Sequence, residues 1–116
     1  MNRNPGNDLR AHRKESGFNQ DELAKLLGCG GGAVSRYEWS RSLPPLTLAL
    51  AYEILFMAPI SELFTGLSDA VRQRIEQQLV ELETELDSQS GRGPRAAMIA
   101  KKLQWLANRR HILSAS

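Results

Sequence analysis

A chain of 116 residues and 12.9 kDa is sized for one domain with a short appendage, and 41% apolar with 24% charged residues excludes a disordered chain. The formal charge of +2 hides a segregation: residues 1–46 carry seven Lys/Arg against five Asp/Glu, residues 47–90 two against eight, and residues 91–116 six against none. One cysteine, Cys29, excludes an intrachain disulfide and a thiolate metal cage.

The longest apolar stretch, Leu46 to Ile60, is 15 residues long, holds Thr47 and Glu53, and is too short and too polar for a membrane span. No basic-then-apolar leader opens the chain, so the expectation is a soluble cytoplasmic protein.

The fold class expected is all-α. Period-2 alternation is absent, with only three Val and five Ile, while helix start and stop signals recur. Asn4-Pro5-Gly6 reads as a turn, and Asn7 caps a first helix running from Asp8 to about Ser16, closed by Gly17 as a left-handed cap. Asn19 opens a second helix over residues 20–27, with Glu22 completing a capping box and Phe18 and Leu23 forming a hydrophobic staple; Gly28 stops it.

A third helix is predicted from Gly30 or Gly31 to about Trp39, weakened at its start by three glycines that each cost about 1 kcal/mol against alanine. Pro44-Pro45 sets up a fourth, through about Phe56. Pro59 starts a fifth, Ile60 to Phe64, closed by Thr65-Gly66. Beyond Gly66, Leu67, Val71, Ile75, Leu79, Leu82 and Leu86 form an apolar stripe on an acidic helix from about Ser68 to Asp87. Residues 88–94 break it, and a basic helix runs from about Arg95 to Arg110 with Ile99, Leu103 and Leu106 on one face. No internal repeat is present, and Gly30–Gly32 is the one low-complexity feature.

Two short helices joined at Gly28-Cys29-Gly30 read as a helix-turn-helix, whose second helix can enter the major groove of DNA. The run Leu9, Arg13, Gly17-Phe18-Asn19-Gln20, Glu22-Leu23-Ala24, Leu27-Gly28 and Val34-Ser35-Arg36-Tyr37-Glu38 resembles the Xre/Cro-type family of phage repressors and bacterial regulators. The resemblance extends through Pro45 to Ile60-Ser61-Glu62-Leu63-Phe64 and covers residues 7–66. It implies a five-helix, phage-repressor-like domain over residues 1–66, followed by a C-terminal segment over 67–116.

The resemblance also implies roles. Asn19 and Gln20 fall where the family grips a DNA phosphate, a place suited to anions by side-chain amides and helix N-terminal N–H groups. Arg36 falls on the groove-facing side of the recognition helix, about residues 31–39, where a guanidinium suits guanine O6 and N7, and Ser35 stands beside it. Trp39, Arg41 and Ser42 occupy the loop that lies along the DNA backbone in relatives. Arg13 and Glu38 match a family pair tying the first helix to the third.

Gly31 and Gly32 depart from the family, which commonly places base-reading side chains there. Specificity then rests on Arg36 and DNA shape, or the glycines admit a close backbone approach. A similar glycine run before Ser-Arg-Tyr-Glu occurs in some antitoxin regulators of the family.

Simpler readings stand beside these. Asn19 is a good N-cap without DNA, Arg36 an ordinary surface arginine, Trp39 a packing residue on the fourth helix, and Cys29 a small turn residue. Lys101-Lys102 and Arg109-Arg110 read as a solvated face or as a second DNA contact. His12 and His111 lack ligand neighbours, so no metal and no cofactor are expected. No nucleophile–base set and no phosphate-binding loop ending in Lys-Ser/Thr appears, and catalysis is not expected.

The expectation is therefore a dimeric, sequence-specific transcriptional regulator, a repressor, binding double-stranded DNA as a homodimer across two half-sites. The alternative is a protein-interaction module, such as an antitoxin that masks a toxin or another regulator through the segment after Gly66. That segment is predicted to form an antiparallel helical hairpin, which stacks the acidic helix of Glu76, Glu81, Glu83, Glu85 and Asp87 on the basic one. Its role is dimerisation, or else a fold back onto the first domain.

Overall fold

Local punctuation sets the chain reversals of the N-terminal half. In the computed structural model, which describes residues 6–89 and 93–115, the elements are α1 (Leu9–Ser16), α2 (Gln20–Leu27), α3 (Gly31–Glu38), α4 (Leu46–Phe56), α5 (Ile60–Leu63), α6 (Thr65–Gln89) and α7 (Ala96–Ala115). All the regular structure among the described residues is helical. No helix among them is long and apolar enough to cross a membrane. Asn4 and Pro5 of the expected first turn, and residues 90–92 of the later break, lie outside the described residues.

The chain divides into two compact units, Met1–Ala70 and Val71–Ser116. In the first, Gly17 and Gly28 close α1 and α2 with φ of 82° and 79°, a left-handed conformation that favours glycine. α2 begins at the capping box: Glu22 N donates to Asn19 Oδ1 at 2.8 Å, and Asn19 N donates back to Glu22 Oε1 at 2.9 Å. The apolar faces of α1 to α5 meet in one core around Leu9, Leu23, Val34, Tyr52 and Leu63, all fully buried. Glu53, the acid within the apolar stretch, accepts from Ile60 N at 2.9 Å and so supplies the cap at the start of α5.

Three helix ends differ from the sequence expectation. The N-cap of α1 is Asp8, and Asn7 is buried instead: its Oδ1 accepts from Leu9 N at 3.1 Å while its Nδ2 donates to Tyr37 O at 3.1 Å. Asn7 thus fastens the start of α1 to the end of α3.

Thr65-Gly66 does not close the fifth helix, which ends at Leu63; Thr65 begins α6, and Gly66 lies inside it. The physical reason is a contact across the unit. A first-turn N–H needs a partner outside its helix, and Gly66 N finds Gly6 O at 2.8 Å. A Cβ on Gly66 would stand 3.1 Å from Gly6 Cα and O, so the approach depends on a bare backbone. The last helix also continues past Arg110, to Ala115.

In the second unit α6 and α7 run antiparallel. Arg72 Nη2 donates to Leu113 O at 3.2 Å, and Arg110 grips Glu83 through two bonds of 3.1 and 3.3 Å. Leu79, Leu86 and Leu106 are buried between the helices, with Ile99, Leu103 and Leu113 packed against them. Only part of the predicted stripe is covered, because two helices enclose one seam: Val71, Ile75 and Leu82 stay about 40% exposed.

The hydroxyl of Tyr52 is buried with no hydrogen-bond partner among the described residues. Burial first, then the nearby Glu38 carboxylate, push its pKa far up, so it stays a neutral phenol. Removing an unsatisfied buried hydroxyl takes away a desolvation cost and no bond. Tyr52→Phe should therefore keep or raise stability, by up to about 1 kcal/mol. A thermal melt checks this, and a loss of about 1 kcal/mol or more would contradict it.

Candidate nucleic-acid interface

α2 and α3 pack on each other across the Gly28-Cys29-Gly30 connection. α3 is divided by burial. Val34, Tyr37 and Glu38 face the core, whereas Gly32 and Arg36 are exposed and Gly31 and Ser35 are half-buried. Arg36 is the only charged side chain that α3 presents to solvent.

The orientation of α3 is held by an ion pair beneath it. Arg13 Nε donates to Glu38 Oε2 at 2.6 Å and Nη2 to Oε1 at 3.1 Å, with Glu38 fully buried and Arg13 nearly so. The bidentate geometry, above all the hydrogen bond to Glu38, holds the Arg13 pKa above its ordinary value. Arg13 Nη1 also donates to Phe18 O at 3.0 Å, which joins the α1–α2 turn to the same network. Charge on this pair cancels internally, so it offers nothing to a ligand.

The predicted site residues fall into two groups. Arg36, Trp39 and Arg41 are exposed at and just beyond the C-terminal end of α3, with Ser42 half-buried in the following loop. There Arg41 N donates to Arg36 O at 2.8 Å, and Ser40 takes a left-handed φ of 56°. Asn19 and Gln20 stand at the start of α2, and their side chains are already engaged. Asn19 Oδ1 caps α2, and Gln20 Nε2 donates to Glu38 Oε1 at 3.2 Å. Gln20 is thereby turned toward the buried ion pair, leaving the Asn19 amide nitrogen and the helix N-terminus for an anion.

The two glycines have distinct surroundings. A Cβ on Gly31 would collide with the carboxylate of Asp21, so α3 starts with Asp21 laid against its first turn, a place favourable to negative charge. A Cβ on Gly32 would meet Arg36 Nη1 at 3.5 Å, an ordinary contact, so the guanidinium lies back over Gly32 one turn earlier.

Four features of this surface come from contacts and exposure that the sequence does not announce. Arg10, on α1, lies over the Trp39 ring at 5.5 Å and adds a cation beside the loop. Asp21 and Asn7 act through contacts with partners distant in sequence. On α4 and at its C-cap, Leu46, Leu50, Ile54 and Met57 recur at spacings of 4, 4 and 3, and all are exposed. That spacing was legible; its exposure was not. Cys29 is half-buried, and burial pushes its thiol pKa up, which keeps the unreactive protonated form.

No family model matches the chain, and neither the curated proteins nor the solved structures contain a match.

Proposed function

We propose that the chain is a sequence-specific DNA-binding transcriptional regulator of the Xre/Cro helix-turn-helix kind, a cytoplasmic repressor without catalytic activity. α3 is its recognition helix, and two copies read two half-sites about one helical turn apart. The observation that carries this reading is the division of α3. An ion pair, a buried valine and a buried tyrosine fix one side, and the other offers a single guanidinium above a glycine floor. A helix held rigidly from beneath, with a bidentate donor on its open side, suits guanine in the major groove.

Phosphate contacts fit the two ends of the motif. The N-terminus of α2 at Asn19 and Gln20 can take one phosphate, and Arg41 with Trp39 can follow the backbone on the other side. Gly31 and Gly32 keep the first turn of α3 slim, so the backbone can approach the base edges and Arg36 does the reading.

A gel shift over genomic fragments with competitor DNA tests this. One fragment should be retained over the rest. Arg36→Ala should bind it about 1–3 kcal/mol more weakly, close to the affinity for random DNA. Retention of every fragment alike, or an Arg36→Ala variant that discriminates as the parent does, would overturn the assignment. A module that only masks a protein partner would tolerate the loss of Arg36.

A further inference from the structure

On the second unit an apolar face stays open beside the buried seam. Met98, Trp105 and Ile112 recur every seven residues on α7 and are 59%, 54% and 55% exposed. Val71, Ile75 and Leu82 line the same side of α6. Between the strips lies an almost wholly apolar groove of about 360 Å³, walled by Leu82, Leu86, Lys102, Trp105 and Leu106. A seven-residue apolar repeat is the signature of a helix that packs against further helices.

Charge says which further helices. The described part of α7 holds Lys101, Lys102, Arg109 and Arg110 and no acid, while α6 is mainly acidic. Only Glu83 and Arg110 form an ion pair between them among the described residues. Among the described residues, Glu81 and Glu85 on α6 and Lys101 and Lys102 on α7 enter no ion pair. A face with an acidic edge along one helix and a basic edge along the other complements itself.

We infer that this face binds a second copy of itself, forming a four-helix bundle in which α6 of each copy lies on α7 of the other. Two symmetries can bring two hairpins face to face. A two-fold axis across the helices stacks α6 on α6, acid on acid; an axis along the helices stacks α6 on α7, acid on base. Electrostatics selects the second. Leu82 and Trp105, and Leu86 and Lys102, wall one groove in each copy, so an axis along the helices, which preserves height, brings Leu82 of one copy level with Trp105 of the other. It also brings Glu85 of one copy near the level of Lys101 and Lys102 of the other. A face about 30 Å long and about 20 Å wide, the span of two such helices, encloses about 600 Å² per copy. Doubled, this reaches the range of about 1,200 Å² at which specific interfaces begin.

The interface deepens the dimer of the proposed function, and self-association read without DNA keeps the two separable: a monomer that still retains one DNA fragment would overturn the interface alone. Sedimentation equilibrium of the full chain tests it, with circular dichroism confirming helix content. The wild type should be a dimer. Trp105→Glu should weaken it about 100-fold or more, since an anchoring aromatic is lost twice per dimer. Lys101→Glu should weaken it less, and adding Glu85→Lys should restore it by swapping the paired charges. A monomeric wild type, a dimer indifferent to Trp105→Glu, or a double variant no better than the single would each overturn the interface. So would a dimer lost on Ile54→Lys and kept in the hairpin variants, which would place the contact on the exposed stripe of α4.

Discussion

Replacing Glu38 by alanine should remove most of the stability of the first unit. Glu38 is fully buried and accepts three bonds, two from Arg13 and one from Gln20. Its loss strands the Arg13 guanidinium below α3 with the Phe18 carbonyl as its remaining partner. Breaking a buried pair from one side costs about 3–5 kcal/mol. A unit of this size has only about 3–10 kcal/mol in all, at about 0.05–0.15 kcal/mol per residue. Arg13→Ala should do comparable damage, because it leaves a carboxylate buried with only the Gln20 amide.

Replacing both partners with apolar residues of similar volume, Arg13→Met with Glu38→Leu, should recover much of the loss, since neither charge then stays uncompensated. Urea titrations of the three variants measure this. A single variant within about 1 kcal/mol of the parent would show that the pair is not what fixes α3.

What the sequence disclosed and what it withheld separate along one physical line. α2 was legible to the residue because Asn19, Glu22 and Gly28 act within a few positions of each other, and capping is local chemistry. The end of α5 was not, because it turns on Gly6 and Gly66, sixty positions apart, meeting backbone to backbone. Asn7 carries the mark of a cap, yet its amide also bonds the end of α3, a choice that only tertiary packing makes. The family resemblance places Gln20 at a DNA phosphate; its acceptor, Glu38, lies 18 positions away and competes for the amide.

The stripe after Gly66 was legible as helical, but spacing alone does not divide six apolar residues between a seam and an open face. Arg13 and Glu38 came together only through a family resemblance, since nothing in their spacing announces a contact between helices.

Binding to DNA should also depend steeply on salt, and this is the most direct test of the central claim. Asn19 and the N-terminus of α2 position a phosphate without a full charge, whereas Arg10, Arg36 and Arg41, all exposed, bring about three cations to the DNA in each copy, hence about six in a dimer. Each contact releases condensed counterions, so affinity falls as a high power of salt concentration. Equilibrium binding of the full chain to the fragment it retains, followed by fluorescence anisotropy between 50 and 200 mM salt, should lose on the order of 1,000-fold in affinity. An affinity that stays flat across that range would contradict DNA as the partner of α2 and α3.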